Sequence, residues 1–313
     1  MPLKMTLRQK TICFIVGSLF SGSTLLGNSL NGSPEVIFLG ETDRLRYFRR
    51  YENCPDYYVD QSILSENNHM PCEFWNRAFL TKLKWLSTAE AFLEIIERTG
   101  TSIVLDGSKN IDWLIDLYPS LIEKYNVVAI VSARNPFAFC SSYRKLNQVS
   151  AWAAAEVWRN VYSHTLRCLS SYSIPNILIR YEDFALDPER FLQQKLTRFL
   201  GIPFHPQMMQ YWQVPNYALG GNTGAYLQFQ QFQHAKLDPS EQWKPEYYHN
   251  KPFGGWVSER WLDVLDEDQI AEIASLDGVM ATAFNLGYNL TALIRQHRDK
   301  QLLGNNGLEC KSC

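Results

Sequence analysis

The sequence predicts a three-layer α/β fold, a mostly parallel sheet covered on both faces by helices. Three observations carry that expectation. Short apolar, β-branched runs alternate with helix-length periodic segments over residues 11–201. The run at 11–17 (TICFIVG) ends on a glycine and passes straight into a helix-like segment. The chain has 313 residues, 46% of them hydrophobic, and so can bury one large core.

In order, 11–17 reads as a buried strand, 23–31 as a helix and 35–39 as a second strand ending at Gly40 and Glu41. Charge, aromatic and cysteine content is irregular from Asp43 to Asn76, and about 43–86 is taken as an insertion. Ser87 to Glu90 form a capping box before a helix that ends near Gly100. Strands at 102–106, 127–133 and 176–180 follow, separated by helices near 111–124, after Pro136 and over 151–172. Asp187 and Pro188 start a helix that Gly201 stops. Residues 205–256, rich in Gln, Tyr, Trp, Pro and Gly, read as loops over one end of the sheet. A helical region from about 258 to 295 completes a single domain over 1–300, with 301–313 a disordered tail.

Thirty basic against 32 acidic residues leave a net charge of −2, with no bulk footprint for nucleic acid or an anionic membrane. Any anion site must therefore be local. The seven cysteines are an odd, scattered set, expected as reduced cytoplasmic thiols. Cys54, His69, Cys72, Cys310 and Cys313 match no compact zinc module, and no metal is expected. No run approaches the roughly 20 apolar residues of a membrane span. Lys4, Arg8 and Lys10 ahead of the apolar run also imitate a signal peptide. Cleavage there would destroy the Gly17–Thr24 loop, so the two readings exclude each other.

That loop (GSLFSGST) has the glycine spacing of a phosphate-binding loop in the strand-to-helix context such a loop requires. Backbone amides there would face a phosphate and add the helix dipole. Ser23 stands where an ATP-type loop carries its lysine, so the ligand should lack the β and γ phosphates that this lysine serves. A second phosphate site is expected where 127–133 leads into Arg134, with Ser142 early in the next helix.

With both sites in view, the chain resembles the sulfotransferases that use 3′-phosphoadenosine 5′-phosphosulfate (PAPS), members of the P-loop NTPase-like fold. The pattern is closer to the tyrosylprotein and carbohydrate type than to the cytosolic phenol type. Ser21, Gly22, Ser23, Thr24, Leu25 and Leu26 resemble the family's 5′-phosphate loop, and Arg134 to Ser142 its 3′-phosphate motif. LDGSK (105–109), RYEDF (180–184, including Tyr181) and GGN (220–222) match further motifs in order and spacing. The resemblance implies sulfuryl transfer from PAPS to a hydroxyl or amine of a small-molecule, carbohydrate or peptide acceptor. It also implies Glu41 as the base and Lys109 as the cation on the sulfuryl and bridging oxygens.

The chain departs from the pattern at Phe20, where relatives carry Arg or Lys, and in lacking a basic residue over 223–229. Phe20 keeps open a catalytically weak PAP(S)-binding homologue, and the glycine spacing a divergent small-molecule kinase. His205, His234 and His249 are left out of the catalytic set. Trp212, Tyr217, Tyr226, Trp243, Tyr247 and Tyr248 are read as packing or acceptor-stacking residues.

Overall fold

The computed structural model describes residues 9–48, 74–219, 221 and 253–306. Its five described strands form one sheet, parallel throughout, in the order β2-β3-β1-β4-β5. They are β1 (Thr11–Gly17), β2 (Val36–Phe38), β3 (Ile103–Lys109), β4 (Asn126–Ala133) and β5 (Asn176–Arg180).

Strand β1 is central, and its side chains divide by the two-residue period of a strand. Ile12, Phe14 and Val16 enter one core, while Cys13 and Ile15 enter the other. Both faces of the sheet are therefore dry, which is what lets β1 be apolar at nearly every position. The first core holds α4 (Thr88–Arg98), α5 (Ile111–Leu121), α6 (Pro136–Asn147) and α7 (Ala151–Ser171). The second holds α1 (Ser23–Asn31) and the helical stretch after Asp187. Phe92 lies 5.8 Å from both Phe14 and Trp113, centroid to centroid, and all three are fully buried. Burial of one such ring stabilises the fold by about 2–3 kcal/mol.

Several expected boundaries move. The third strand continues past Asp106 to Lys109, because Val16 pairs with Lys109 after a register shift and Gly107 N–H donates to Gly40 O at 2.7 Å. The helix after it stops at Leu121 rather than 124. Inside 43–86 lie α2 (Leu45–Phe48) and α3 (Arg77–Lys84), the latter capped by Asn76, whose side chain accepts from Phe79 N–H at 3.0 Å. Tyr181–Leu186 is helical (α8), a turn the sequence reading did not contain. Asp187 caps the next helix and Gly201 ends it, but a π-turn at Leu192–Leu196 joins α9 (Pro188–Phe191) to α10 (Thr197–Leu200). A 3-10 segment, Pro206–Gln213, lies within the stretch read as loop.

The C-terminal region contains α11 (Trp261–Val264), α12 (Glu267–Ser275), α13 (Val279–Asn285) and α14 (Leu290–Asn306). The last helix passes residue 295 and includes 301–306, which were read as tail. Cys13, Cys140 and Cys168 are free thiols. Cys54, His69, Cys72, Cys310, Cys313, His234, His249, Tyr226, Trp243, Tyr247, Tyr248 and most of the GGN motif lie outside the described residues. Among the described residues, no helix is long and apolar enough to cross a membrane and no group of side chains could hold a metal.

Candidate active site

Chain order reverses between the neighbouring strands β1 and β4, since β1 leads towards β2 and β4 towards β5. In open α/β sheets the crevice beyond the strand ends at such a point is where ligands bind. The Gly17–Thr24 loop leaves β1 at this point, and Arg134 leaves β4 beside it: Gly17 pairs with Ser132 across the two strands.

The loop is held by buried hydroxyls. Tyr162, on α7 and fully buried, donates to Ser132 O at 3.0 Å and shares a 2.8 Å hydrogen bond with Ser18 Oγ. Burial pushes this phenol up to about 12, so it stays a neutral donor and acceptor. Ser132 Oγ donates to Ser21 O at 2.8 Å. Gly17 has φ +142°, and a Cβ there would lie 2.3 Å from Ser132 O, so no other residue fits this approach. Gly22, at φ +78°, caps α1 without a side chain, and the Tyr181 ring fills the space its Cβ would take, 2.4 Å away.

Two buried polar atoms at this place have no hydrogen-bond partner among the described residues: Ser21 Oγ and Arg134 Nε. Buried polar groups are almost always paired, and each orphan costs about 1–3 kcal/mol. With the side-chain-free start of α1, they line a cradle whose chemistry fits phosphate groups. Arg134 Nη1 donates to Phe20 O at 2.8 Å, and its guanidinium lies 4.6 Å from the centre of the Tyr181 ring. Ser142 is half-buried on α6. Gly221 sits over Thr24, a Cβ there lying 3.3 Å from Thr24 Cγ2. Leu25 packs against the second core.

Phe20, in the loop's αL region at φ +61°, turns its ring towards Phe139, 6.3 Å away. Its contact there is apolar, and it brings no charge to the loop.

Glu41 and Lys109 come together although 68 residues separate them. Lys109 Nζ bonds Glu41 Oε1 at 2.5 Å, with the two side chains 10% and 20% exposed. Arg44 closes on the other carboxylate oxygen, its Nη2 and Nε lying 2.9 and 3.1 Å from Glu41 Oε2. Burial alone would raise the Glu41 pKa, but Lys109 and Arg44 hold it below the ordinary carboxylate range. Glu41 N–H donates to Leu219 O at 2.6 Å, and two residues on Gly221 lies over Thr24, so one short segment spans Glu41 and the start of α1. Lys109 itself is αL, at φ +64°, a strained backbone for a non-glycine residue.

Asp106 holds this arrangement. Its fully buried carboxylate accepts from Thr42 N–H and Oγ1 and from Ser108 N–H and Oγ, the residues next to Glu41 and Lys109. Burial pushes its pKa up to about 6, against those hydrogen bonds. Trp113 Nε1 donates to Thr42 Oγ1 at 3.1 Å, tying the turn to the first core.

The sequence reading named Glu41, Lys109, Arg134 and the loop, but missed Arg44, Asp106 and Tyr162. Asp106 lay inside the quoted LDGSK motif without a role, and Arg44 three residues past Glu41. Tyr162 carries no local signal, because its partners lie 30 and 144 residues away. His205, left out of the site, has Nε2 3.1 Å from Glu35 Oε2. It lines a cavity of about 560 Å³ formed by residues leading into β2 and β3, at the opposite end of the strands from the loop. Trp212 packs on Tyr211 and Phe253, and Tyr217 on Phe74.

The site thus sits on a five-stranded parallel α/β sheet flanked by helices, with a polar cradle at its switch point and a buried carboxylate–ammonium pair beside it. The Sulfotransferase family model matches residues 13–206, more than half of the chain, and the protein belongs to that family. Among solved structures it is similar to the sulfotransferase domain of the olefin synthase from Synechococcus PCC 7002. That match has 17% identity and a TM-score of 0.57 over 90% of this chain and 96% of that one. It is also similar to the sulfotransferase domain from the curacin biosynthetic pathway, at 22% identity and a TM-score of 0.57 over 90% and 99% of the two chains. At these identities the likeness is one of fold. A search of curated proteins returns no match.

Proposed function

We propose that this protein transfers a sulfuryl group from PAPS to a hydroxyl or amine of a small-molecule, carbohydrate or peptide acceptor, releasing 3′-phosphoadenosine 5′-phosphate (PAP). The observation that carries the reading is the pair of orphaned polar atoms, Ser21 Oγ and Arg134 Nε, in a cradle that has Ser23 in place of the ATP-type lysine.

In this reading the amides and hydroxyls of Ser21 to Thr24 bind the 5′ phosphate, with Leu25 packing behind them and Tyr181 covering Gly22. Arg134 and Ser142 hold the 3′ phosphate. Lys109 faces the sulfuryl and bridging oxygens, where negative charge grows as the S–O bond breaks. Glu41 accepts the proton of the acceptor hydroxyl or amine as its oxygen or nitrogen attacks sulfur.

The ion pair adds a condition. A carboxylate held below its ordinary range by Lys109 and Arg44 is a weak base. When Lys109 turns to the donor, Glu41 loses its nearest cation and becomes more basic, so the base is strengthened when donor is bound. Lys109 also stands opposite Val16, beside the loop's start, and compensates there for the cation that Phe20 replaces. Phe20 favours a second reading, a PAP(S)-binding homologue of low turnover.

The test is transfer of labelled sulfate from PAPS across sugar, phenol, lipid and peptide acceptors, run beside a Glu41→Ala variant. Label should reach at least one acceptor class, with turnover lowered by roughly 10²–10⁴ in the variant while PAP still binds. Label transferred equally well by the variant would remove Glu41 from the mechanism. Binding of PAP without transfer to any class would favour the second reading.

A further inference from the structure

The C-terminal region lies beyond the family-matched residues, yet one side chain from it bonds a carboxylate that holds the turn after Arg134. Tyr288, 7% exposed and placed between α13 and α14, donates its hydroxyl to Glu182 Oε2 at 2.7 Å. The other carboxylate oxygen, Glu182 Oε1, accepts from Asn135 N–H at 3.1 Å and from Asn135 Nδ2 at 2.9 Å. Asn135 in turn caps α6, its Oδ1 accepting from Ala138 N–H at 2.8 Å. That turn carries Arg134 on one side and leads into the helix of Ser142 on the other.

We infer that Tyr288 is a positioning residue for the 3′-phosphate half of the donor site, acting through Glu182 on the Arg134–Asn135 turn; this rests on the PAPS reading above. The carboxylate bridges a phenol from the C-terminal region and a backbone turn from the family-matched region. Hydrogen bonds to a charged acceptor are the stronger kind, and a half-buried carboxylate that loses one partner is free to seek another. Without the Tyr288 hydroxyl, Glu182 would turn towards solvent and release both Asn135 donors. Arg134 would then be held only from its own side, by Tyr162 Oη on its N–H, Trp158 Nε1 on its carbonyl and Phe20 O on its guanidinium, and the turn after it would loosen.

Tyr288 is itself held by two contacts, and the residue before it by a third. Its N–H donates to Ala283 O at 2.8 Å, the Arg180 guanidinium lies 5.5 Å from its ring centre, and Arg180 Nη1 donates to Gly287 O. Removing only the hydroxyl therefore leaves the ring in place. The 5′ side has its own support in Ser132, whose Oγ donates to Ser21 O, and Tyr162, which holds Ser18 and Arg134 alike, is untouched by the change, so the effect should fall on the 3′ phosphate.

The experiment is calorimetry of the full chain with PAP and with adenosine 5′-phosphate, which lacks the 3′ phosphate. Tyr288→Phe should weaken PAP binding about 10-fold and leave adenosine 5′-phosphate within twofold. Glu182→Gln should have a similar effect, and the double variant should add little to either single change. Because the readout is a ratio of two ligands on folded protein, a drop in melting temperature does not alter it. Equal losses for both ligands, or PAP affinity within twofold of wild type, would overturn the inference while leaving the donor reading intact. Wild-type protein that binds no PAP would overturn the donor reading, and this inference with it.

Discussion

Glutamine at position 41 keeps the size of the side chain and one carbonyl acceptor, and removes the charge, so Glu41→Gln isolates what the carboxylate contributes. On turnover, loss of a positioned base is worth roughly 10²–10⁴, about 3–5 kcal/mol of barrier. On stability, the change strands Lys109, only 10% exposed, while Arg44, at 31%, can turn to solvent. Removing one partner of a buried pair costs about 3–5 kcal/mol, and with one cation free to rehydrate about 1–3 kcal/mol is expected.

The pH dependence carries its own sign. The folded-state pKa of Glu41 is depressed, so its contribution is complete above the unfolded value of about 4.3 and fades as pH falls through the lower folded value. The stability gap between wild type and Glu41→Gln should therefore close below about pH 4. The assays are labelled-sulfate transfer with an acceptor found by screening, PAP calorimetry, and chemical denaturation at several pH values. Turnover within twofold of wild type would refute the role of base. Loss of PAP binding in step with turnover would move Glu41 into the donor site instead.

Lys109→Met should lower turnover by about 10²–10³, as for loss of one transition-state donor, and should move the acid limb of the pH–rate profile upward as Glu41 loses its nearest cation. An unmoved limb would break the link between the two residues. Asp106 titrates the other way: its folded pKa of about 6 exceeds the unfolded value near 3.8, so folding stability should fall by about 3 kcal/mol between roughly pH 4 and pH 6. Asp106→Asn should flatten that slope. It should also lower turnover, because an amide cannot accept all four hydrogen bonds from Thr42 and Ser108; denaturation and transfer assays across this pH range check both.

What could be read from the sequence was mostly local. The run Thr11–Gly17 and the helix after it were legible because burial on both faces selects an unbroken apolar strand and glycine ends it. The Ser87–Glu90 capping box was legible for the same kind of reason, a bond pattern closed within four residues. Lys109 was singled out, but not as a strand residue, because Gly107 and Ser108 look like a turn until the bond of Gly107 to Gly40 and the pairing of Lys109 with Val16 are known. The helix Arg77–Lys84 had a cap in Asn76 and buried positions at Phe79, Leu80 and Leu83, a signal masked by the irregular residues before it. The π-turn at Leu192–Leu196 has no local signature.

In the site, residue types were legible and partnerships were not. Nothing within ten residues of Glu41 announces Lys109, and nothing near Glu182 announces Tyr288, since both contacts come from the folding of distant strands and helices onto one edge of the sheet. The ion pair changes what the proposed reaction asks of Glu41, since Lys109 and Arg44 hold its carboxyl below the ordinary range.

The central claim, a donor site for PAPS rather than for a nucleoside triphosphate, is tested most directly by calorimetry of the protein with PAP, ADP and ATP under one set of conditions. The account predicts PAP binding at least about 100-fold tighter than ATP, since the cradle lacks the lysine that serves β and γ phosphates and Arg134 offers two charge-assisted bonds to a 3′ phosphate. Tight binding of ATP with none of PAP would contradict it.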